Sequence, residues 1–173
     1  MQKVSSHTQI SYKLFKRILF FITLAFLFVF NSHSQVSWDG GGDGVNWSSG
    51  DNWDPNGVPT NSDDIEIGSG YTITVDAAAQ CASLTYLNNN ATSTINISSA
   101  ITLTVSGDVN FGNPDINGAN QILNVDDGNL VCDNIYFPNT GSNAQDDQIW
   151  LSDGSITVSG DIIATENAGN RNY

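Results

Sequence analysis

Short segments in which apolar and polar residues alternate fill the chain from Asp63 onward. In residues 65–67, 71–75 and 84–87 an apolar side chain stands at every second position, and Asn, Asp, Gly and Ser separate the segments. Alternation with a period of two is typical of half-buried strands, and these four residue types are typical of turns. No segment after residue 34 shows a helical period. The pattern therefore predicts an all-β protein.

The predicted strands recur at a regular spacing. The pentapeptide Thr-Val-Ser-Gly-Asp occupies residues 104–108 and again 157–161, and a degenerate copy lies near residues 130–135. Three isoleucines recur at equal intervals along the sequence: Ile95, Ile122 and Ile149. Three strands per repeat of about 26–27 residues predict a right-handed parallel β-helix over residues 63–173. An antiparallel β-sandwich is the alternative, because it also has short strands and many turns, but it does not explain a repeat of constant phase.

Stacking the repeats brings equivalent inward residues into ladders. The ladders that this register predicts are Val105–Cys132–Val158, Val109–Ile135–Ile162 and an aromatic pair, Phe111 with Phe137. Cys81 falls one coil before Val105, so two strand spacings of about 4.8 Å separate it from Cys132. The resulting distance of about 9.6 Å exceeds the roughly 7 Å limit between the Cα atoms of a disulfide. We therefore expect two buried free thiols, although export would favour a disulfide.

The N-terminal segment has the layout of a secretory signal peptide. Lys13, Lys16 and Arg17 lie just before an apolar run over residues 18–30, and small polar residues lead to a cleavage site before Gln35. The run is shorter than the roughly 20 residues that span a membrane. We predict a signal peptide over residues 1–34 and a secreted or cell-surface mature chain with no membrane span.

Removal of the signal peptide leaves an unusually acidic chain. Of the basic residues only Arg171 remains, no His or Lys is left, and all eighteen acids stay, for a net charge near −17. Without a basic surface to neutralise phosphates, nucleic-acid binding is excluded. The adjacent acids at residues 126–127 and 146–147 are better interpreted as turn residues than as a glycosidase pair. We therefore expect no catalytic activity.

Residues 35–62 carry a Trp- and Gly-rich pattern. It comprises Trp-Asp-Gly-Gly-Gly-Asp-Gly-Val-Asn-Trp at 38–47, Asn-Trp at 52–53, Gly-Val-Pro at 57–59 and Asp-Asp-Ile at 63–65. This pattern resembles the N-terminal region of large secreted bacterial β-helix proteins, including autotransporter-like adhesins and type IX secretion substrates. The resemblance implies export and a cap ahead of the coils, in a family that includes adhesins and lyases.

The C-terminal sequence departs from that family, because nothing in it resembles a sorting domain. No capping element is evident after the third clear repeat either, and an uncapped β-helix end exposes strand edges. We therefore expect either further coils in a longer protein or pairing of the open edge with a partner.

One segment fits a calcium-binding loop in part. It places oxygen ligands at the first, third, fifth and twelfth positions: Asn52, Asp54, Asn56 and Asp63. Two prolines interrupt the loop, so ordinary Asn/Asp turns are the competing interpretation. No other cofactor is indicated.

Aromatic residues and loops supply the remaining candidates for ligand binding. Trp38, Trp47 and Trp53 are expected to cap the coil, with a sugar-binding platform as the alternative. Trp150 has an outward phase in its strand and is the better candidate for a surface contact. Two polar loops, residues 112–120 and 139–147, follow equivalent strands and contribute three acids: Asp115, Asp146 and Asp147.

The sequence as a whole favours an adhesive or structural module at the cell surface. Its expected ligand is a polysaccharide or a protein, bound through the stacked loops. The alternative is a carbohydrate-binding or polysaccharide-processing β-helix module that uses Trp150 and the loop acids.

Overall fold

A computed structural model of the chain describes Phe15 and residues 33–87, 90–112, 119–137 and 147–164. The predicted signal peptide, residues 1–34, lies outside these ranges except for Phe15, His33 and Ser34. The strands are β1 (Ser34–Trp38), β2 (Trp53–Asp54), β3 (Asp63–Ile67), β4 (Thr72–Val75), β5 (Ala79–Cys81), β6 (Ser83–Tyr86), β7 (Ser93–Ile97), β8 (Thr102–Val105), β9 (Val109–Asn110), β10 (Gln121–Asn124), β11 (Asn129–Cys132), β12 (Ile135–Phe137), β13 (Gln148–Trp150), β14 (Ser155–Val158) and β15 (Ile162–Ala164). A single 3-10 turn, Gly50–Asn52, precedes β2 in this part of the chain.

The strands form three sheets that run along the molecule. Sheet A has the order β15-β12-β9-β6-β3-β1-β2, sheet B the order β13-β10-β7-β4, and sheet C the order β14-β11-β8-β5. Within each sheet neighbouring strands come from successive coils and pair in parallel, apart from the antiparallel pair β1 and β2. The fold is thus an all-β parallel β-solenoid of about four turns. The β-sandwich alternative is wrong, because its antiparallel sheets would not produce this pairing.

The length of a coil varies along the solenoid. In sheet A, Ile65 pairs with Leu84, and Leu84 pairs with Val109. The ladder continues from Val109 to Ile135 and from there to Ile162. The step along the sequence lengthens at each of these pairs, and the first step is by far the shortest. The predicted period of about 26–27 residues therefore holds for the later coils, whereas the first coils are shorter because their turns are shorter.

One predicted alignment in sheet B is wrong by a single position. Ile95 pairs with Leu123 rather than with Ile122, and Leu123 pairs in turn with Ile149. Ile122 instead pairs with Thr94 and therefore lies on the outer face of the sheet. Because side chains alternate between faces, a slip of one residue moves a side chain from the core to the surface.

Aromatic rings stack on one another inside the coils. Phe111 lies parallel to Phe137, with ring centroids 4.7 Å apart and planes inclined by 12°. This confirms the predicted pair, and Tyr86 extends it on the other side of Phe111, at 5.1 Å and 9°. The column is possible because equivalent positions of a parallel solenoid repeat at the strand spacing.

Both cysteines lie in the interior ladder of sheet C. Cys81 pairs with Val105, and the register places Cys132 on the far side of Val105, next to Val158. Both thiols are buried and free. Burial raises the pKa of Cys81 to about 12 and that of Cys132 to about 11. The ladder containing Val105, Cys132 and Val158 is confirmed, and its thiols are neutral at physiological pH.

Three tryptophans close the N-terminal end of the solenoid. Trp53 contacts Trp38 and Trp47 edge-to-face, with ring centroids 4.9 and 4.7 Å apart, and all three side chains are buried. Trp53 Nε1 donates a hydrogen bond of 2.9 Å to the Trp47 carbonyl oxygen. The surrounding backbone also extends two sheets, since β1 pairs with β3 and Asn46 forms a parallel bridge to Thr74. The cap thus contains part of an additional coil.

The last described coil is less well covered than the others. Leu151 and Ile162 occupy inward positions of the register but are 51% and 63% exposed. Strands β13, β14 and β15 lie at the edges of their sheets, so these side chains pack on one side only. No helix in the described ranges is long and apolar enough to span a membrane.

Candidate functional site

The outer side of sheet B carries two rows of side chains that run across its four strands. We call these eight residues the sheet B face. The register defines one row as Thr72, Thr94, Ile122 and Gln148, and the other as Thr74, Asn96, Asn124 and Trp150. Their neighbours along the strands, such as Ile73, Ile95 and Leu123, are fully buried, so the alternation of the sequence directs the two rows outward.

Trp150 is the most prominent side chain of the sheet B face. It is 57% exposed, whereas the other three tryptophans are at most 3% exposed. Its Nε1 donates a hydrogen bond of 2.6 Å to Oε1 of Gln148, two residues earlier on the same face. This contact positions the indole over the sheet, and its outward orientation agrees with the sequence prediction.

The amides beside Trp150 form a hydrogen-bonded ladder. Asn124 Nδ2 donates to Oδ1 of Asn96 at 3.3 Å and to Oδ2 of Asp126 at 3.2 Å. Its own Oδ1 is buried and accepts no hydrogen bond from the residues that the structure describes. Such an acceptor in a folded protein calls for a partner. Asn124 pairs with Trp150 in the register, so the two residues are direct neighbours on adjacent strands.

Of the three loop acids, the described residues include only Asp147. Asp115 and Asp146 lie outside the described residues. Asp147 precedes Gln148 by one residue, which aligns it with the buried Gln121 on the inward side of sheet B. Its Oδ1 is buried, and its charge adds to the effect of burial in raising the pKa of Tyr86, so this carboxylate faces the interior. Asp147 as a whole is half-buried, and a contact between it and a ligand stays a prediction.

The proposed calcium ligands hold their own turns together. Asn52 is fully buried; its Oδ1 accepts from the backbone N–H groups of Gly42 and Gly44 at 3.0 and 2.8 Å, and its Nδ2 donates to Asp43 Oδ1 at 2.7 Å. Asp63 Oδ2 accepts from both the backbone N–H and the hydroxyl of Thr60 at 2.7 Å. One side-chain oxygen of each of these two predicted ligands, Asn52 Oδ1 and Asp63 Oδ2, thus already accepts hydrogen bonds.

The other two members of that set, Asp54 and Asn56, are exposed, and Asn56 Nδ2 donates to Asp51 Oδ1 at 3.0 Å. Across the described ranges, no group of three or more His, Cys, Asp or Glu residues is arranged to hold a metal ion. Calcium binding by this loop stays a prediction.

Two features of the site escaped the sequence interpretation. The amide ladder was missed because the step from Asn96 to Asn124 is one residue longer than the step that the recurring isoleucines indicated. The hydrogen-bond network around Asn52 and Asp43 was missed because most of its hydrogen bonds involve backbone groups of the glycine-rich loop. The alternative that Trp38, Trp47 and Trp53 form a sugar platform is wrong, since a buried ring offers no surface to a ligand.

No protein-family model, no curated protein and no solved structure matches this chain. The resemblance of residues 38–65 to secreted bacterial β-helix proteins therefore stays a prediction. A function must be argued from the solenoid and from the sheet B face themselves.

Proposed function

We propose that the protein is an exported, non-catalytic module of the cell surface that serves a structural or adhesive role. The observation that carries this proposal is the continuity of the apolar ladders through successive coils. Ile73, Ile95 and Leu123 are fully buried in sheet B, as are Ile65, Leu84 and Val109 in sheet A. A solenoid packed in this way is stiff and presents its outer faces as extended surfaces.

The charge of the chain supports the absence of catalysis. After the predicted cleavage, Arg171 is the only basic side chain, and the chain has no histidine or lysine. General acid–base chemistry would then depend on carboxylates or tyrosines alone. Polysaccharide-cleaving chemistry that uses a basic side chain has no candidate residue in the described coils.

A second function, carbohydrate binding, is favoured by one observation. Trp150 places a large aromatic surface in solvent beside a row of amides and hydroxyls. Ligand sites combine apolar, often aromatic, surface with a few oriented polar groups. This function is compatible with an adhesive role, since adhesion to a polysaccharide requires such a face.

Export and adhesion are tested with the complete chain in a Gram-negative bacterial host. The mass of the recovered protein should correspond to a chain that begins at Gln35, and externally added protease should digest it on intact cells. Purified protein should then retain cells or polysaccharide on a coated surface. A variant in which the apolar run 18–30 is interrupted by two arginines is the control for export.

Two results would contradict the proposal. Full-length protein retained in the cytoplasm would refute export. Release of new reducing ends from a polysaccharide by the purified protein would refute the absence of catalysis and favour the processing alternative.

A further inference from the structure

We propose that the sheet B face binds an uncharged glycan chain, with Trp150 as the surface on which a sugar ring stacks. This inference rests on the carbohydrate-binding function above and specifies its site and ligand class. It depends on three observations: the exposed indole, the hydrogen-bonding row beside it and the charge of the chain.

The indole has an apolar neighbour on the same face. Ile122 pairs with Gln148, and Trp150 lies two residues after Gln148 in β13. Ile122 and Trp150 are therefore diagonal neighbours on the sheet B face. Such diagonal neighbours on one face of a sheet are within reach of a large aromatic side chain, and the other six residues of the sheet B face are polar. One side of a pyranose ring is lined by C–H groups, and these pack well on a flat aromatic or aliphatic surface.

The other residues of the sheet B face, which surround Ile122 and Trp150, are polar. The half-buried amides of Asn124 and Asn96 continue the row of Trp150 over the next two coils, with Thr74 beyond them. Rows of this kind repeat at the strand spacing of about 4.8 Å. A chain of linked sugars that crosses the strands can therefore place successive hydroxyl groups against successive coils.

The charge of the protein selects against anionic glycans. The predicted mature chain carries one basic side chain against eighteen acids. On the site itself, Asp126 accepts a hydrogen bond from Asn124, which places a carboxylate at the rim. A uronate or sulfate group would be repelled there and would find no cation to pair with. An uncharged chain avoids both effects.

The test uses the full-length protein and intrinsic tryptophan fluorescence. Xylan and β-glucan oligosaccharides are the uncharged probes, and oligogalacturonate is the anionic comparison. We expect a saturable change in emission with at least one uncharged probe. The change should arise from Trp150 because the other three tryptophans are buried in the cap. Oligogalacturonate should bind more weakly by at least about tenfold, as electrostatic repulsion of this order implies.

Substitutions locate the site, with calorimetry as the readout because Trp150→Ala removes the fluorescent reporter. Trp150→Ala should lower the affinity by at least about tenfold, as loss of a central aromatic contact does. Trp150→Phe should recover part of the affinity, and Asn124→Ala should weaken binding without changing the emission of the free protein. Val131→Thr is the matched control: Val131 is an exposed apolar residue on the outside of sheet C, opposite Thr104 in the register.

The outcomes separate this inference from the function on which it rests. Binding of an uncharged probe that Trp150→Ala leaves unchanged would refute the site and retain carbohydrate binding. Absence of binding to every probe would refute the uncharged-glycan ligand, and continued retention of cells by the protein would keep the adhesive role. Preferential binding of oligogalacturonate would refute the argument from charge. Thermal unfolding of each variant verifies that it is folded.

Discussion

Asn134 Nδ2 donates a hydrogen bond of 2.8 Å to Oδ1 of Asp108, one coil earlier in the solenoid. On the other side, Asn134 Oδ1 accepts a hydrogen bond of 2.8 Å from the backbone N–H of Asp161, one coil later. A single amide thus connects three successive turns. The turn that contains Asn134 has two residues between Cys132 and Ile135, one fewer than the equivalent turns on either side. The Asn134 side chain connects this shorter turn to both of its neighbours.

We predict that Asn134→Ala lowers the free energy of unfolding by about 1–3 kcal/mol, because two hydrogen bonds between coils are lost and Asp161 N–H loses its acceptor. Chemical denaturation measures this loss. Asn110→Ala is the control, since Asn110 lies on the outside of sheet A and makes no side-chain hydrogen bond to another described residue; it should change the stability by less than about 0.5 kcal/mol. Equal effects of the two substitutions would show that the amide does not connect the coils.

The turn between sheets B and C contains a glycine that is required by close approach. A Cβ atom at Gly128 would lie 2.6 Å from Ile97 Cγ2 and 2.9 Å from the carbonyl oxygens of Ile97 and Ser98. Since two of these neighbours are backbone atoms of the preceding coil, the coils would have to separate. We predict that Gly128→Ala destabilises the protein by about 1–3 kcal/mol.

The control for this substitution is Gly68→Ala. A Cβ at Gly68 would meet only the ring of Tyr71, at an ordinary contact distance of 3.6 Å. Its midpoint of thermal unfolding should stay close to that of the wild type. If Gly128→Ala unfolds at the same temperature as Gly68→Ala, the packing of the coils at this turn is looser than the structure shows.

Asp43 connects stability to pH in the glycine-rich loop. Backbone N–H groups of Asn46 and Val45 and the Asn52 amide donate to this carboxylate and hold its pKa well below the ordinary value of 3.8. A carboxyl group whose pKa is lower in the folded state stabilises the fold above pH 3.8, and this contribution is lost as the pH falls below that value. We predict that Asp43→Asn lowers the unfolding temperature at pH 7. Between pH 7 and pH 3, the unfolding temperature of this variant should decrease less than that of the wild type.

Asp54→Asn is the matched control, since Asp54 is exposed in β2 and no side-chain contact of it is observed in the described chain. Differential scanning calorimetry of the three proteins at both pH values gives the comparison. If the unfolding temperatures of Asp43→Asn and Asp54→Asn decrease equally between pH 7 and pH 3, the Asp43 carboxylate does not contribute to the pH dependence of stability.

The sequence predicts which side chains face the core better than it predicts the register between coils. The alternation of Val109, Phe111, Ile135 and Phe137 with polar residues reveals which side chains point inward, because a strand has a strict period of two. Together with the repeat spacing, this alternation predicts the ladders and the pair of Phe111 with Phe137, whereas the addition of Tyr86 to that pair was not predicted. The register of sheet B was not predicted either, because the step from Ile95 to Leu123 is two residues longer than the step from Leu123 to Ile149, and a constant step therefore misplaces Ile122.

The site is less predictable than the fold for a related reason. The exposure of Trp150 follows from its phase in one strand, so the sequence predicts it. Its neighbour Asn124 comes from another coil, and the predicted register, which differs by one residue, places Leu123 there instead. The inward register of Asp147 was not predicted, because a residue next to a polar loop can still begin an inward row, as Gln121 does one coil earlier.

The ladder of sheet C predicts how the two cysteines react. Both thiols are buried with pKa values raised to about 12 and about 11, so neither is a thiolate at pH 8 and neither is accessible. We predict that an alkylating reagent modifies no cysteine in the folded protein and both in denaturant without reductant, as measured by intact mass. Because Cys132 stacks on Val158, Cys132→Val should leave the stability within about 1 kcal/mol of the wild type. Cys132→Ser should cost more, since a buried hydroxyl needs a hydrogen-bond partner. Failure to label either thiol in denaturant would indicate a disulfide, which the register of two strand spacings does not allow.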